Sequence, residues 1–153
     1  MSSSLRPYKY WEQDGQYFFD APSGARYVAY FLNLSSLADH LYTFNFDRIK
    51  SGKQDIVDTN VFDTICSILS GFFSTHKNSM LLVCDSVDGR EEARMRLFNS
   101  WFARIAPSHF TKIDWSGNAE SYKLFVSLLL WEDNPQKDSL ISFLSDYCKS
   151  MLI

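Results

Sequence analysis

Along the first fifty residues apolar and polar positions alternate with period two, and from about residue 59 the period changes to 3.6, which predicts strands followed by mixed elements. Tyr8 to Gln13 runs into Asp14-Gly15, a tight-turn dipeptide, and Gln16 to Asp20 returns, so a hairpin is expected there. Pro22-Ser23-Gly24 makes the next turn. Arg26 to Leu34, with Tyr27, Val28, Tyr30, Phe31 and Leu32, reads as a central strand. Leu41 to Asp47 alternates ring and polar residue, which puts Tyr42, Phe44 and Phe46 on one face of a half-buried strand.

Asp47 to Asp58 reads as a polar loop centred on Ser51-Gly52-Lys53. Val61, Phe62, Ile65, Ile68, Leu69, Phe72 and Phe73 then fall at helical spacing, with Thr59 or Asn60 placed to cap them. Met80 to Cys84 is a short apolar run of the kind that is covered on both faces of a sheet. Asp88 and Glu91 have capping-box spacing before a second helix carrying Leu97, Phe98, Trp101, Phe102 and Ile105. Thr111–Trp115 and Tyr122–Trp131 read as a hairpin turning at Ser116-Gly117-Asn118. Asn134-Pro135 opens a last helix striped by Leu140, Ile141, Leu144, Tyr147, Cys148 and Met151. The expected fold is one α+β domain over 1–153, a mostly antiparallel sheet packed with about three helices in the order ββββ-α-β-α-ββ-α.

Composition narrows the classes. The 153 residues, 46% hydrophobic with six Gly and four Pro, suffice for an ordinary core and exclude a disordered chain. The 13 Phe, 8 Tyr and 4 Trp are numerous enough that some should lie near the surface, where rings such as Tyr8, Tyr10 and Trp11 would serve a protein partner or a second copy of the chain. A net charge of −3 supplies no basic field for gripping nucleic acid. Cys66, Cys84 and Cys148 are widely spaced among apolar neighbours and read as buried thiols in a reducing compartment. No signal-peptide pattern or apolar run of spanning length is present, so a cytoplasmic location and no membrane association are expected.

Candidate chemistry concentrates where the run ending at Cys84 meets the second helix. Asp85 and Asp88 there could hold a divalent cation while Arg90 and Arg94 steady a phosphate. The same residues equally describe a helix cap at Asp88 and an ion pair between Asp85 and Arg94, so two carboxylates do not establish a metal site. His40, His76 and His109 are isolated and belong in polar turns; Ser86 lacks a glycine-flanked elbow; Gly52 and Gly89 form no phosphate-loop fingerprint. No catalytic residue, metal or cofactor is assigned.

Two resemblances follow from particular stretches. Tyr8-Lys9-Tyr10, Phe72-Phe73, Cys84-Asp85-Ser86-x-Asp88-Gly89-Arg90 and Arg94-x-Arg96-Leu97-Phe98-x-x-Trp101-Phe102 resemble a family of small bacterial proteins, mostly from Bacteroidetes, catalogued as domain of unknown function 6169. That resemblance implies a small bacterial protein and transfers no site residue. The element order is similar to the later part of the Gcn5-related N-acetyltransferase fold, which implies an acetyltransferase-like scaffold. In that family acetyl-CoA pyrophosphate rests on a glycine-bearing turn; Lys53 to Asp58 has no glycine and brings Asp55 and Asp58, which would repel it. The expectation is therefore a non-catalytic interaction or ligand-binding module, with a degenerate acyl-CoA N-acyltransferase-like enzyme as the alternative.

Overall fold

The computed structural model describes residues 5–52, 59–85, 91–105, 109–119 and 122–151. Asp14 and Gly15 both take positive φ, 53° and 78°, the turn geometry that follows the twist of paired strands, and they join β1 (Tyr10–Gln13) to β2 (Gln16–Asp20). Gly24, at φ 94°, turns the chain into β3 (Arg26–Asn33), and β4 (Leu41–Lys50) lies antiparallel beside it. The rest of the chain forms α1 (Thr59–Phe73), β5 (Ser79–Asp85), α2 (Glu91–Ile105), β6 (Phe110–Ala119), β7 (Tyr122–Trp131) and α3 (Lys137–Met151). The order ββββ-α-β-α-ββ-α is the one the patterning predicts, and the fold is α+β.

The seven strands form one sheet in the order β1-β2-β3-β4-β5-β7-β6, antiparallel except between β4 and β5. One face carries Phe19, Tyr27, Phe44, Met80, Leu82 and Leu129 against α1 and α2. Much of the aromatic content goes here: Phe31 stacks on Phe72 at 4.3 Å, and Trp101 meets Phe44 and Phe46 edge to face at 6.1 and 6.0 Å. On the opposite face Leu41, Leu81, Val126, Leu128 and Leu130 pack with Leu140, Leu144 and Cys148 of α3. Two helices cover the first face and one the second.

Polar side chains tie the ends together. Asp63, buried on α1, accepts the Arg6 backbone N–H at 3.0 Å and pairs with Arg104 of α2 at 2.6 Å. Thr64 accepts the Tyr8 N–H at 2.8 Å, and Asn60 donates to the Arg6 carbonyl at 2.7 Å, so residues 6–8 are strapped across the start of α1. Asn134 accepts the Gln136 N–H at 2.8 Å in the turn ahead of α3, which begins at Lys137 and not at the expected Pro135, and its amide donates to Ser79 Oγ at 3.1 Å and the Lys77 carbonyl at 3.3 Å.

Four local expectations are corrected. β4 runs on to Lys50, three residues past Asp47, because its pairing with β3 continues past a register shift at Arg26/Tyr27. Thr59 and Asn60 lie inside α1, and the Asn60 side chain is spent on Arg6. Ser116-Gly117-Asn118 is strand, opposite Phe125, Leu124 and Lys123, so the hairpin does not turn there. On β5 the second face is uncovered at Val83, which is 53% exposed.

Asp63→Ala would leave the Arg104 guanidinium and the Arg6 N–H without their acceptor. Because Arg104 is partly solvated, urea titration is expected to show a loss of about 2 kcal/mol, below the usual figure for a fully buried pair.

Candidate functional site

β4 and β5 run parallel but pair at two positions alone, Leu41↔Ser79 and Tyr42↔Met80, at the start of both strands. Beyond these β4 stays with β3 and β5 with β7, so the two halves of the sheet part toward the carboxyl ends of β4 and β5. In sheets with parallel neighbours such ends are where ligands bind, because the backbone there has no strand to bond to.

On the α3 side of this parting lies a cavity of about 280 Å³. Thr43 of β4, Leu81 and Val83 of β5 and Val126 of β7 form its floor; Leu144, Tyr147 and Cys148 of α3 form its roof; Leu34 and Leu37, after β3, close one side. The alternation of each strand places these residues. Leu41 and Thr43 share the face opposite Phe44, as Leu81 and Val83 share the face opposite Leu82. The volume is at the small end of the range for small-molecule sites, and among the described residues the lining carries no formal charge.

Of its lining residues Thr43, Tyr147 and Cys148 carry a polar side-chain atom, and the Thr43 hydroxyl accepts from the Asn45 amide at 3.3 Å. Burial pushes the Cys148 thiol above its ordinary range, which disfavours the nucleophilic thiolate. Cys66, fully buried near Arg104 and Asp63, is also pushed up, with burial as the largest cause and Arg104 opposing it. Both thiols are free, as their surroundings in the sequence predict.

Of the four residues that the sequence singles out, Asp85 is the last residue of β5, opposite Leu124, and Arg94 falls in the first turn of α2. Asp88 and Arg90 lie outside the described residues, as do the side chains of Asp85 and Arg94. The stretch Lys53 to Asp58 also lies outside them. Gly52 just before it has a structural reason: a Cβ there would come within 2.5 Å of Ser23 Oγ and 2.8 Å of the Ser23 carbonyl. Among the described residues no group of His, Cys, Asp and Glu is placed to hold a metal ion.

The histidines sit in turns or bends. His40 takes φ 58°, His109 is exposed ahead of β6, and His76 stacks on Trp131 at 4.4 Å while its Nδ1 meets the Asp133 carboxylate at 3.0 Å. Tyr8 and Tyr10 pack against the core, whereas Trp11 is 39% exposed, stacked on Phe18 with the Arg26 guanidinium over its ring.

Sequence reasoning missed the cavity and also missed Asp63. The signal for Asp63 was there, a carboxylate inside the apolar stripe of α1. The cavity has no sequence signal of its own, because its floor residues read as ordinary core.

The model of the family of unknown function DUF6169 matches residues 57–146, more than half of the chain. The chain belongs to the DUF6169 family. The DUF6169 match takes in α1, β5, α2, β6, β7 and most of α3, and so contributes Leu81, Val83, Val126 and Leu144 to the cavity. No curated protein matches the sequence. A solved structure described as a CoA-dependent acyl-homoserine lactone synthase, MesI, overlaps 86% of this DUF6169 chain and 70% of its own at 9% identity and a TM-score of 0.38. Nothing about ligand or reaction passes to this chain from a likeness at that level. No helix among the described residues is long and apolar enough to cross a membrane.

Two outcomes follow from the packing around the cavity. Leu144→Ala, at a side chain 1% exposed, is expected to lower stability by about 3 kcal/mol, while Val83→Ala on the exposed rim costs under about 1 kcal/mol; chemical denaturation reads both. The raised Cys66 and Cys148 thiols stay protonated in the fold when the unfolded thiols, with an ordinary value of 9.0, have begun to ionise. The unfolded chain then binds fewer protons, so their contribution to stability is intact below about pH 9 and declines as pH rises above it. Melting curves from pH 7 to 10 should show this alkaline loss reduced in a Cys66→Ala, Cys148→Ala double variant. Tyr17, raised chiefly by burial and then by Glu12, acts with the same sign at higher pH and leaves a residual slope.

Proposed function

We propose that this DUF6169 chain is a ligand-binding module that takes an alkyl or acyl chain in the cavity between the parting strands β4 and β5 and helix α3. The observation that carries the reading is the parting itself: after Tyr42 and Met80 the strands diverge, and the floor between them is lined by Thr43, Leu81 and Val83 rather than filled by a large side chain. The described lining supplies apolar contact and a few hydrogen-bonding atoms. It holds no acid or base, and its one thiol is held in the protonated form.

A second reading, an acyl-CoA-dependent transferase, is favoured by the same parallel pair, because a cleft between adjacent strands is what such a cofactor would need. The sequence weighs against it in Asp55 and Asp58, whose charges oppose a pyrophosphate. Calorimetry with acetyl-CoA separates the two. Binding well below millimolar concentration would favour the transferase, and absence of heat at millimolar removes it.

The ligand-binding reading makes a graded prediction. Each methylene buried contributes about 0.8 kcal/mol, so lengthening a straight-chain 1-alkanol from six to eight carbons should tighten binding about fifteenfold. Fluorescence or calorimetric titration measures the series. An affinity that does not change with chain length would contradict the assignment of the cavity.

A further inference from the structure

We propose that this cavity is the inner end of a longer trough along α3, built for a single-chain amphiphile whose head is uncharged and hydrogen-bonding. The inference rests on the ligand-binding reading above and adds the length and head group of the ligand. A second cavity, about 230 Å³, lies against the same flank of α3 and shares Leu37 with the inner one. Its walls are Leu37 and Ala38 on one side and Leu140 and Phe143 on the other. A third, about 290 Å³, shares Asp39 and Gln136 with the second and adds His40 and Lys77.

Gln136, Leu140, Leu144 and Cys148 recur every four residues and so form one row on the helix; the Leu140 N–H bonds to the Gln136 carbonyl at 2.9 Å, which carries the row back to Gln136. From Gln136 to Cys148 that row spans about 18 Å at 1.5 Å per residue. Chemistry changes along it from apolar at Leu144 and Cys148, through Leu37 and Phe143, to polar at Gln136, Asp39 and Lys77. Four exposed large apolar residues, Leu37, Val83, Phe143 and Tyr147, line this trough. Apolar surface gathered on one path in this way marks a binding surface.

The polar mouth sets the head group. Asp39 and Lys77 bring opposite charges to it, so a net charge on the head is attracted by one and repelled by the other. A primary amide offers both donors and an acceptor and is served by both. Leu37 stands at the junction of the two apolar chambers, which makes it the residue that determines usable chain length.

The test is calorimetric titration of the full chain with dodecanamide, dodecanoate and dodecylamine, each below its micelle concentration, and with hexanamide as the short probe. Dodecanamide should bind tightest of the three and at least tenfold tighter than hexanamide. Leu37→Trp, at a residue 41% exposed where the two apolar chambers meet, should remove most of that difference, and Phe143→Trp on the opposite wall should do the same. Equal binding of hexanamide and dodecanamide, or a difference that survives both variants, overturns the trough. Dodecanoate or dodecylamine binding as tightly as dodecanamide overturns the head-group assignment. Failure of all four probes to bind overturns the ligand-binding reading itself.

Discussion

The arrangement depends on how little β4 and β5 share. Two Cα pairs at the beginning of both strands join a four-stranded antiparallel half to a three-stranded one, and past them each strand keeps only its other neighbour. Backbone N–H and C=O groups on the facing edges must find water or a ligand, since a buried, unbonded peptide group is costly. On the α1 and α2 side large rings accommodate the divergence: Trp101 packs edge to face against Phe44 and Phe46. On the α3 side the one ring among the described lining residues, Tyr147, belongs to the roof of the cavity, and the floor is the small and branched residues Thr43, Leu81 and Val83.

This asymmetry follows from helix number. The two helices α1 and α2 cover one face, with Asp63 and Arg104 pinning them to each other and to the N-terminal segment. One helix covers the other face, anchored by Asn134, which holds the turn leading into it and bonds to the turn before β5 and to Ser79 at the first position of that strand. The residue that fixes α3 is thus bonded to the strand position where β4 and β5 still pair. α3 is held firmly at the joined end of the sheet and passes over the parted end with Tyr147 and Cys148 above the cavity.

The element order was legible because each element carries its own period or turn chemistry. Asp14-Gly15 makes a tight turn, the α1 stripe repeats every 3.6 residues, and Asn134-Pro135 announces α3 two residues ahead of its first turn. Neighbour relations were not legible. Alternation in β7 says that Val126 and Leu128 share a face, but it does not say that β7 inserts between β5 and β6. For the same reason Met80 to Cys84 read as covered on both faces, while Val83 lies at the rim of a cavity: burial is set by how many helices reach a face, and no local pattern encodes that number. Ser116-Gly117-Asn118 misled in the opposite direction, because turn-forming residues are also tolerated in an edge strand whose partner continues to pair. The Asp85 to Arg94 segment stands out in the sequence by its charges, whereas the described lining of the cavity carries none.

The central claim, that β4 and β5 part and that an alkyl chain fills the space, is most directly tested by residue-resolved amide hydrogen exchange along β5 with and without a bound long-chain amide. In the free protein the alternate β5 amides that face β4 beyond Met80 should exchange much faster than those bonded to β7, and ligand should slow them selectively by excluding water. Uniform protection along Ser79–Asp85 in the free protein would mean that the strands stay paired, and the account would be wrong.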